Sequence, residues 1–119
     1  MSRDASITLD WADGQHIFRL AWGELIMLQE ACDAGPQVVL HRLQTGTWRL
    51  GDIRETIRLA LLGGGATPDV ALKLVRDYVE ARPPIENVQL AVGVLAIALL
   101  GPTDETPGEA VAAPETENA

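Results

Sequence analysis

The sequence predicts a mainly α protein: a short N-terminal β-hairpin, then a compact bundle of about five helices, ending in a disordered acidic tail. Two observations define the bundle and a third ends it. Trp48 to Asp69 spells one helix with its start and stop, and the start of the next. Ser6 to Leu20 alternates polar and apolar residues around a turn signal, as a hairpin does. From Gly101 onward Pro, Thr, Glu and Ala replace every hydrophobic pattern, so residues 1–100 form one small domain and 101–119 a tail.

The hairpin comes first. Ser6 to Asp10 alternates, Ala12-Asp13-Gly14 turns, and Gln15 to Leu20 alternates again around Ile17 and Phe18. A first helix runs from about Gly23 to Cys32 and is closed by Gly35-Pro36. A second runs from Pro36 to about Thr45, with proline at its first position and Val39, Leu40 and Leu43 inward.

The third helix is the most explicit. Asp52 is placed to cap it, with Glu55 three residues on, and Ile53, Ile57, Ala60 and Leu61 form one apolar stripe. Gly63-Gly64-Gly65 ends it, and Gly63, Gly64 or both are expected at positive φ. With Trp48, expected buried, these glycines make a structural corner. Thr67-Pro68-Asp69 then starts a fourth helix to Glu80, with Val70, Leu74, Tyr78 and Val79 on one face. Arg82-Pro83-Pro84 stops it.

The fifth helix, Ile85 to Leu100, contains the run VQLAVGVLAIALL with one polar residue. At thirteen residues that run spans roughly 20 Å, short of the ~30 Å hydrocarbon layer of a membrane. A helix apolar on all sides must be covered on all sides. Part of its surface is therefore expected to meet another chain.

Charge excludes further classes. The net charge is −8, but residues 101–119 hold five acids and no base, so the domain itself is nearly neutral. Nucleic-acid binding needs clustered bases, and Arg49, Arg54 and Arg58 are interleaved with Asp52 and Glu55. The single Cys32 fits a reducing cytosol, and MSRDASITLDW lacks the apolar core of a signal peptide. A cytoplasmic setting is therefore expected.

No residue set reads as an active site. Cys32 and His41 are a formal nucleophile–base pair, but Cys32 ends an apolar stripe and is expected buried. His16, His41 and Cys32 lack metal-ligand spacing, and no cofactor is implied. The glycine run follows a helix and lacks Gly-Lys-Ser/Thr, so it is no phosphate loop. Trp11, Trp22 and Trp48 read as core or interface anchors. The chain is expected not to be an enzyme.

The ordered set RLAWGELIMLQEACDAGP (Arg19 to Pro36), HRLQTGTWRLGDIRETIRLALLGGG and VRDYVEARPP resembles the small tail-module protein of gene transfer agents and siphophage-like prophages. Gly23-Glu24-Leu25, Cys32-x-Ala34-Gly35-Pro36, Trp48 and Gly63 to Gly65 carry the resemblance, which runs from about Phe18 to Gly101. That family is usually assigned as a tail assembly chaperone. The resemblance implies a non-enzymatic factor that keeps the tape-measure protein soluble, recruits tail-tube subunits and then leaves. The alternative is a stable structural component of the tail, or a small regulatory interaction module. For either, the residues expected to meet a partner or a second copy are Ile53, Ile57 and Leu61 of the third helix and Val94 and Ala98 of the fifth.

Overall fold

The structure, a computed structural model, describes residues 5–101. The tail expected over 101–119 lies outside them but for Gly101.

An antiparallel hairpin pairs β1 (Ile7–Trp11) with β2 (Gly14–Phe18). Trp11 lies opposite Gly14, so Ala12 and Asp13 alone make the turn. Ala12 takes φ 61°, a left-handed value that costs a residue with a β-carbon. Five helices follow: α1 (Trp22–Cys32), α2 (Pro36–Thr45), α3 (Leu50–Gly63), α4 (Pro68–Val75) and α5 (Val88–Leu100). A π turn (Arg76–Glu80) continues α4, and a 3-10 turn (Pro84–Asn87) leads into α5. The expected fold class is the one observed.

Local chemistry explains most boundaries. Pro36 and Pro68 occupy first-turn positions, where a missing N–H leaves nothing unpaired. Thr67 caps α4 by accepting from the Val70 N–H at 3.4 Å. Asp33 (φ 52°) and Gly46 (φ 79°) end α1 and α2 in left-handed conformation.

The centre of the fold is α3, which packs against α1, α4, α5 and β2. Asp52, Ile53, Thr56, Ile57, Leu59, Ala60 and Leu61 are all buried along it. The apolar α5 is expected to keep part of its surface uncovered by its own domain, and it does: it buries Val88, Ala91, Val94 and Leu95 against α2 and α3, while Gly93 and Leu100 are exposed and Val92, Ala96, Ala98 and Leu99 are partly covered. Uniform apolarity does not reveal which side is covered, because it leaves no polar face to point outward.

Both ends of α3 differ from the expectation. Arg49 is its N-cap, and Asp52 sits three residues inside. The buried Asp52 carboxylate reaches back to the Arg49 N–H at 2.8 Å and accepts from Arg42 Nη1 at 3.3 Å. It is the acidic arm of a capping box, not the cap. Glu55 is left to pair with Arg54 and Arg58.

At the other end, Gly64 has φ −82° and Gly63 is helical; only Gly65 turns left-handed, with φ 111°. Positive φ therefore does not explain Gly63 and Gly64. Close approach does. A β-carbon on Gly63 would lie 1.9 Å from the Arg19 carbonyl oxygen, and one on Gly64 2.0 Å from that of Ile17. The Arg19 N–H donates to the Ala60 carbonyl at 3.0 Å across the same contact. The end of the hairpin thus lies backbone to backbone on the end of α3. Trp48 is half-buried and precedes the opposite end of α3, so it is no part of this corner.

The fourth helix also departs from its expected phase. Ala71, Leu74, Val75 and Val79 are buried, whereas Val70 is exposed and Tyr78 only partly covered. The inward residues Ala71, Leu74, Val75 and Val79 recur at helical spacing, so the departure is one of phase at the start of the helix, where Ala71 and not Val70 faces the core, and the π turn follows it.

Candidate functional site

The π turn and the 3-10 turn come together beside the first turn of α3. Between them lies a groove of about 340 Å³, lined by Leu50, Gly51, Ile53, Arg54, Val79, Glu80, Arg82 and Pro84. Its floor is apolar. Leu50 is 65% exposed at its mouth, and the neighbouring Ile85 is 66% exposed. Arg54 bridges the wall to Glu80 and also pairs with Glu55. The hydrogen bond to Glu80, above all, raises the Arg54 pKa, so its charge is permanent.

A second, more polar recess of about 240 Å³ lies on the other side of Arg82, lined by Trp11, Ala12, Tyr78, Arg82, Glu86 and Asn87. Here the hairpin is tied to the helical body. Trp11 donates its indole N–H to Asn87 Oδ1 at 2.9 Å, and Asn87 Nδ2 donates to the Tyr78 carbonyl at 2.8 Å. Trp11 also meets Tyr78 and Phe18 edge-on, at 6.1 and 5.8 Å between centroids. The Arg82 guanidinium sits 5.7 Å from the centre of the Tyr78 ring, within cation–π range.

On α1, Trp22 is 81% exposed, and Ile26 and Met27 are exposed on its following turn. Leu28 and Cys32 face inward. The acids of this helix, Glu24 and Glu30, have no basic neighbour within it.

The residues expected to meet a partner divide sharply. Ile57, Leu61 and Val94 lie in the core, closed to any partner of the folded monomer, and Ile53 is buried too but lines the bottom of the groove. Ala98 remains partly accessible on the outer side of α5. Gly63 and Gly64 serve the corner described above. Sequence reasoning missed the groove because Leu50 and Pro84 read only as a helix lead-in and a helix stop. Their one visible signal was apolar character without a helical partner.

Cys32 is buried, with Sγ 3.7 Å from the Gly51 carbonyl; burial, reinforced by the Asp52 charge, pushes its thiol up to about 12. His41 is exposed on α2, and His16 pairs with Asp13 at 2.7 Å. Among the described residues no group of three or more His, Cys, Asp or Glu is placed to hold a metal ion. No described helix is long and apolar enough to cross a membrane.

Compared with known families, residues 4–101 match the model of a family described as phage tail tube protein, GTA-gp10. No curated protein and no solved structure matches the chain.

Proposed function

We propose a structural role for this chain from one premise: it belongs to the phage tail tube protein family, GTA-gp10. It is a tail-module protein of a phage or gene transfer agent. The finer reading is a non-enzymatic component that stays in the assembled tail, packing against other tail proteins and copies of itself.

The observation that carries this reading is the amount of apolar surface left uncovered on so small a fold. Trp22, Ile26 and Met27 on α1, Leu50 and Ile85 at the groove, and Leu100 on α5 are all exposed. Scattered surface hydrophobics need no explanation, but clustered ones mark interaction sites. Mass spectrometry of purified particles tests the reading. A retained component is present at stoichiometric level, and its absence from the particle would overturn the reading.

The half-covered outer side of α5 supports a second reading, a chaperone that shields apolar helices of the tape-measure protein in helix-in-groove fashion. In that case the protein is missing from particles, raises the soluble fraction of co-expressed tape measure, and loses that effect on Ala98→Glu.

A further inference from the structure

We infer that the open edge of β1 pairs with β1 of a second copy, antiparallel about a two-fold axis through Leu9, to make one four-stranded sheet across a dimer. The inference rests on the reading above that copies of the chain pack together, and names the surface at which they do.

The hairpin has two outer edges, and they differ. Because Ala12 and Asp13 alone make the turn, Trp11 and Gly14 exchange backbone hydrogen bonds, and alternation gives the same role to Leu9–His16 and Ile7–Phe18. The backbone groups of Thr8, Asp10, Gln15 and Ile17 therefore point outward. The edge of β2 runs into the end of α3, where a β-carbon on Gly64 would lie 2.0 Å from the Ile17 carbonyl oxygen. The edge of β1 is open. Thr8 and Asp10 are exposed, and among the described residues no element but β2 packs along the strand and no hydrogen bond reaches either outward backbone. The usual guards of an edge are missing as well, since Ile7–Trp11 holds no proline, lysine or bulge.

What fits this edge is the strand itself. Left-handed residues, Ala5 (φ 63°) and Ala12 (φ 61°), interrupt the extended backbone on either side, so only Ile7–Trp11 can pair. Outward backbones can meet outward backbones when the antiparallel self-pairing is centred on Thr8, Leu9 or Asp10. Centring on Leu9 engages the whole strand; the other two leave residues at its ends unpaired, and centring on Asp10 sets two carboxylates face to face. The Leu9 pairing places each Thr8 hydroxyl beside Asp10 of the second copy, Leu9 against Leu9, and Ile7 against Trp11. Polar side chains meet polar and apolar meet apolar at every position. Ile7, Leu9 and Trp11 are only partly buried within one copy, so the pairing also covers apolar surface that the monomer leaves open. Both partners use the same edge, so the contact is isologous and closes at two copies.

Sedimentation of the full chain up to millimolar concentration, with circular dichroism as the folding control, reads the association. The edge is short and the interface small, so the dimer is expected only at high concentration. Thr8→Pro removes the outward N–H, and with it half of the backbone hydrogen bonds between the copies, at an edge position where proline is tolerated. It should weaken the dimer about tenfold or more. Thr8→Lys sets an ammonium against each Asp10 and should tighten the dimer about threefold, whereas Thr8→Asp opposes carboxylates and should weaken it by a similar factor. That pair decides the matter if the proline variant does not fold. Deuterium exchange at the Thr8 and Asp10 amides should be fast in dilute protein and slow in concentrated protein, while the Leu9 amide, paired with His16, is protected in both.

Self-association that none of the Thr8 variants changes would overturn this edge and leave the packing of copies standing. A dimer weakened by Thr8→Lys as much as by Thr8→Asp would overturn the pairing centred on Leu9. Thr8 and Asp10 amides already slow in dilute, monomeric protein would show the edge covered by the chain's own residues outside 5–101, and so would overturn the inference. A chain that stays monomeric at millimolar concentration with fast amides would overturn it too. Whether the protein is a retained component is decided apart from all of these, by its presence in purified particles.

Discussion

Gly64 lies so close beneath Ile17 that a single methyl group on it would come within 2.0 Å of the Ile17 carbonyl oxygen. The atom it would strike is backbone, which cannot rotate out of the way. Gly64→Ala and Gly63→Ala are each expected to destabilise the protein by about 3 kcal/mol or more, at the upper end of overpacking costs. Gly65→Ala meets open space and carries only the cost of its positive φ, about 1 kcal/mol. Urea denaturation of the three variants checks the order. Equal losses at all three positions would contradict the close-approach account.

The Trp11–Asn87 hydrogen bond joins residues 76 positions apart and is half-buried. Trp11→Phe and Asn87→Ala should each destabilise the fold, and a double-mutant cycle should return a coupling of about 1 kcal/mol. Asn87→Ala should be the worse single change, since it also strips the Tyr78 carbonyl of its donor. Amide exchange in the hairpin should quicken in both variants. Zero coupling would mean that the bond does not hold the hairpin down.

Glu55 is held below its usual pKa. Burial alone would raise it, but hydrogen bonds and charge from Arg58, then Arg54, outweigh burial. A carboxyl whose folded pKa is lowered contributes stability that is present above the unfolded value, near 4.3 for glutamate, and lost as pH falls through the lower folded value. Glu55→Gln should therefore flatten the fall in stability below about pH 4.3 and leave its shape above pH 6 unchanged. Thermal melts between pH 3 and pH 7, roughly the window in which carboxylates titrate, supply the measurement.

Cys32 shifts the other way, up to about 12. The folded thiol stays protonated where the unfolded thiol ionises. Its contribution is thus complete below the unfolded value near 8.5 and is lost as pH rises from there toward the folded value. At pH 8, within about half a unit of the free thiol's pKa, a disulfide reagent should label native protein only as fast as it opens, and urea-unfolded protein at once. Prompt labelling of the native chain would show an accessible thiolate.

How much of this could be read from the sequence depends on whether the cause was local. α2 runs over the expected Pro36–Thr45, because Pro36 and Gly46 act on their own neighbours. The hairpin follows from alternation and a turn, also local signals. The glycine run was read for its conformational freedom, whereas Gly63 and Gly64 answer to a strand more than forty residues earlier in the chain. The expected stripe of Val70, Leu74, Tyr78 and Val79 put Val70 inward where Ala71 packs, because the larger apolar side chain outweighed the phase that only packing against α3 sets. The groove is the harder case. It exists only where Leu50 meets Pro84, and no pattern within either segment announces the other.

The π turn gives the protein an unusual relation to deletion. Remove one residue between Arg76 and Glu80, and α4 could run on as a regular helix with its hydrogen bonds in better order. Everything downstream would then swing by roughly 100°, the angle one residue subtends in an α-helix. Asn87 would turn away from Trp11, and Pro84 would leave the groove wall. A shorter gene would encode a smoother helix and lose both the groove that Leu50 and Pro84 frame and the bond that ties the hairpin down, so one residue in a turn governs two distant features of the surface.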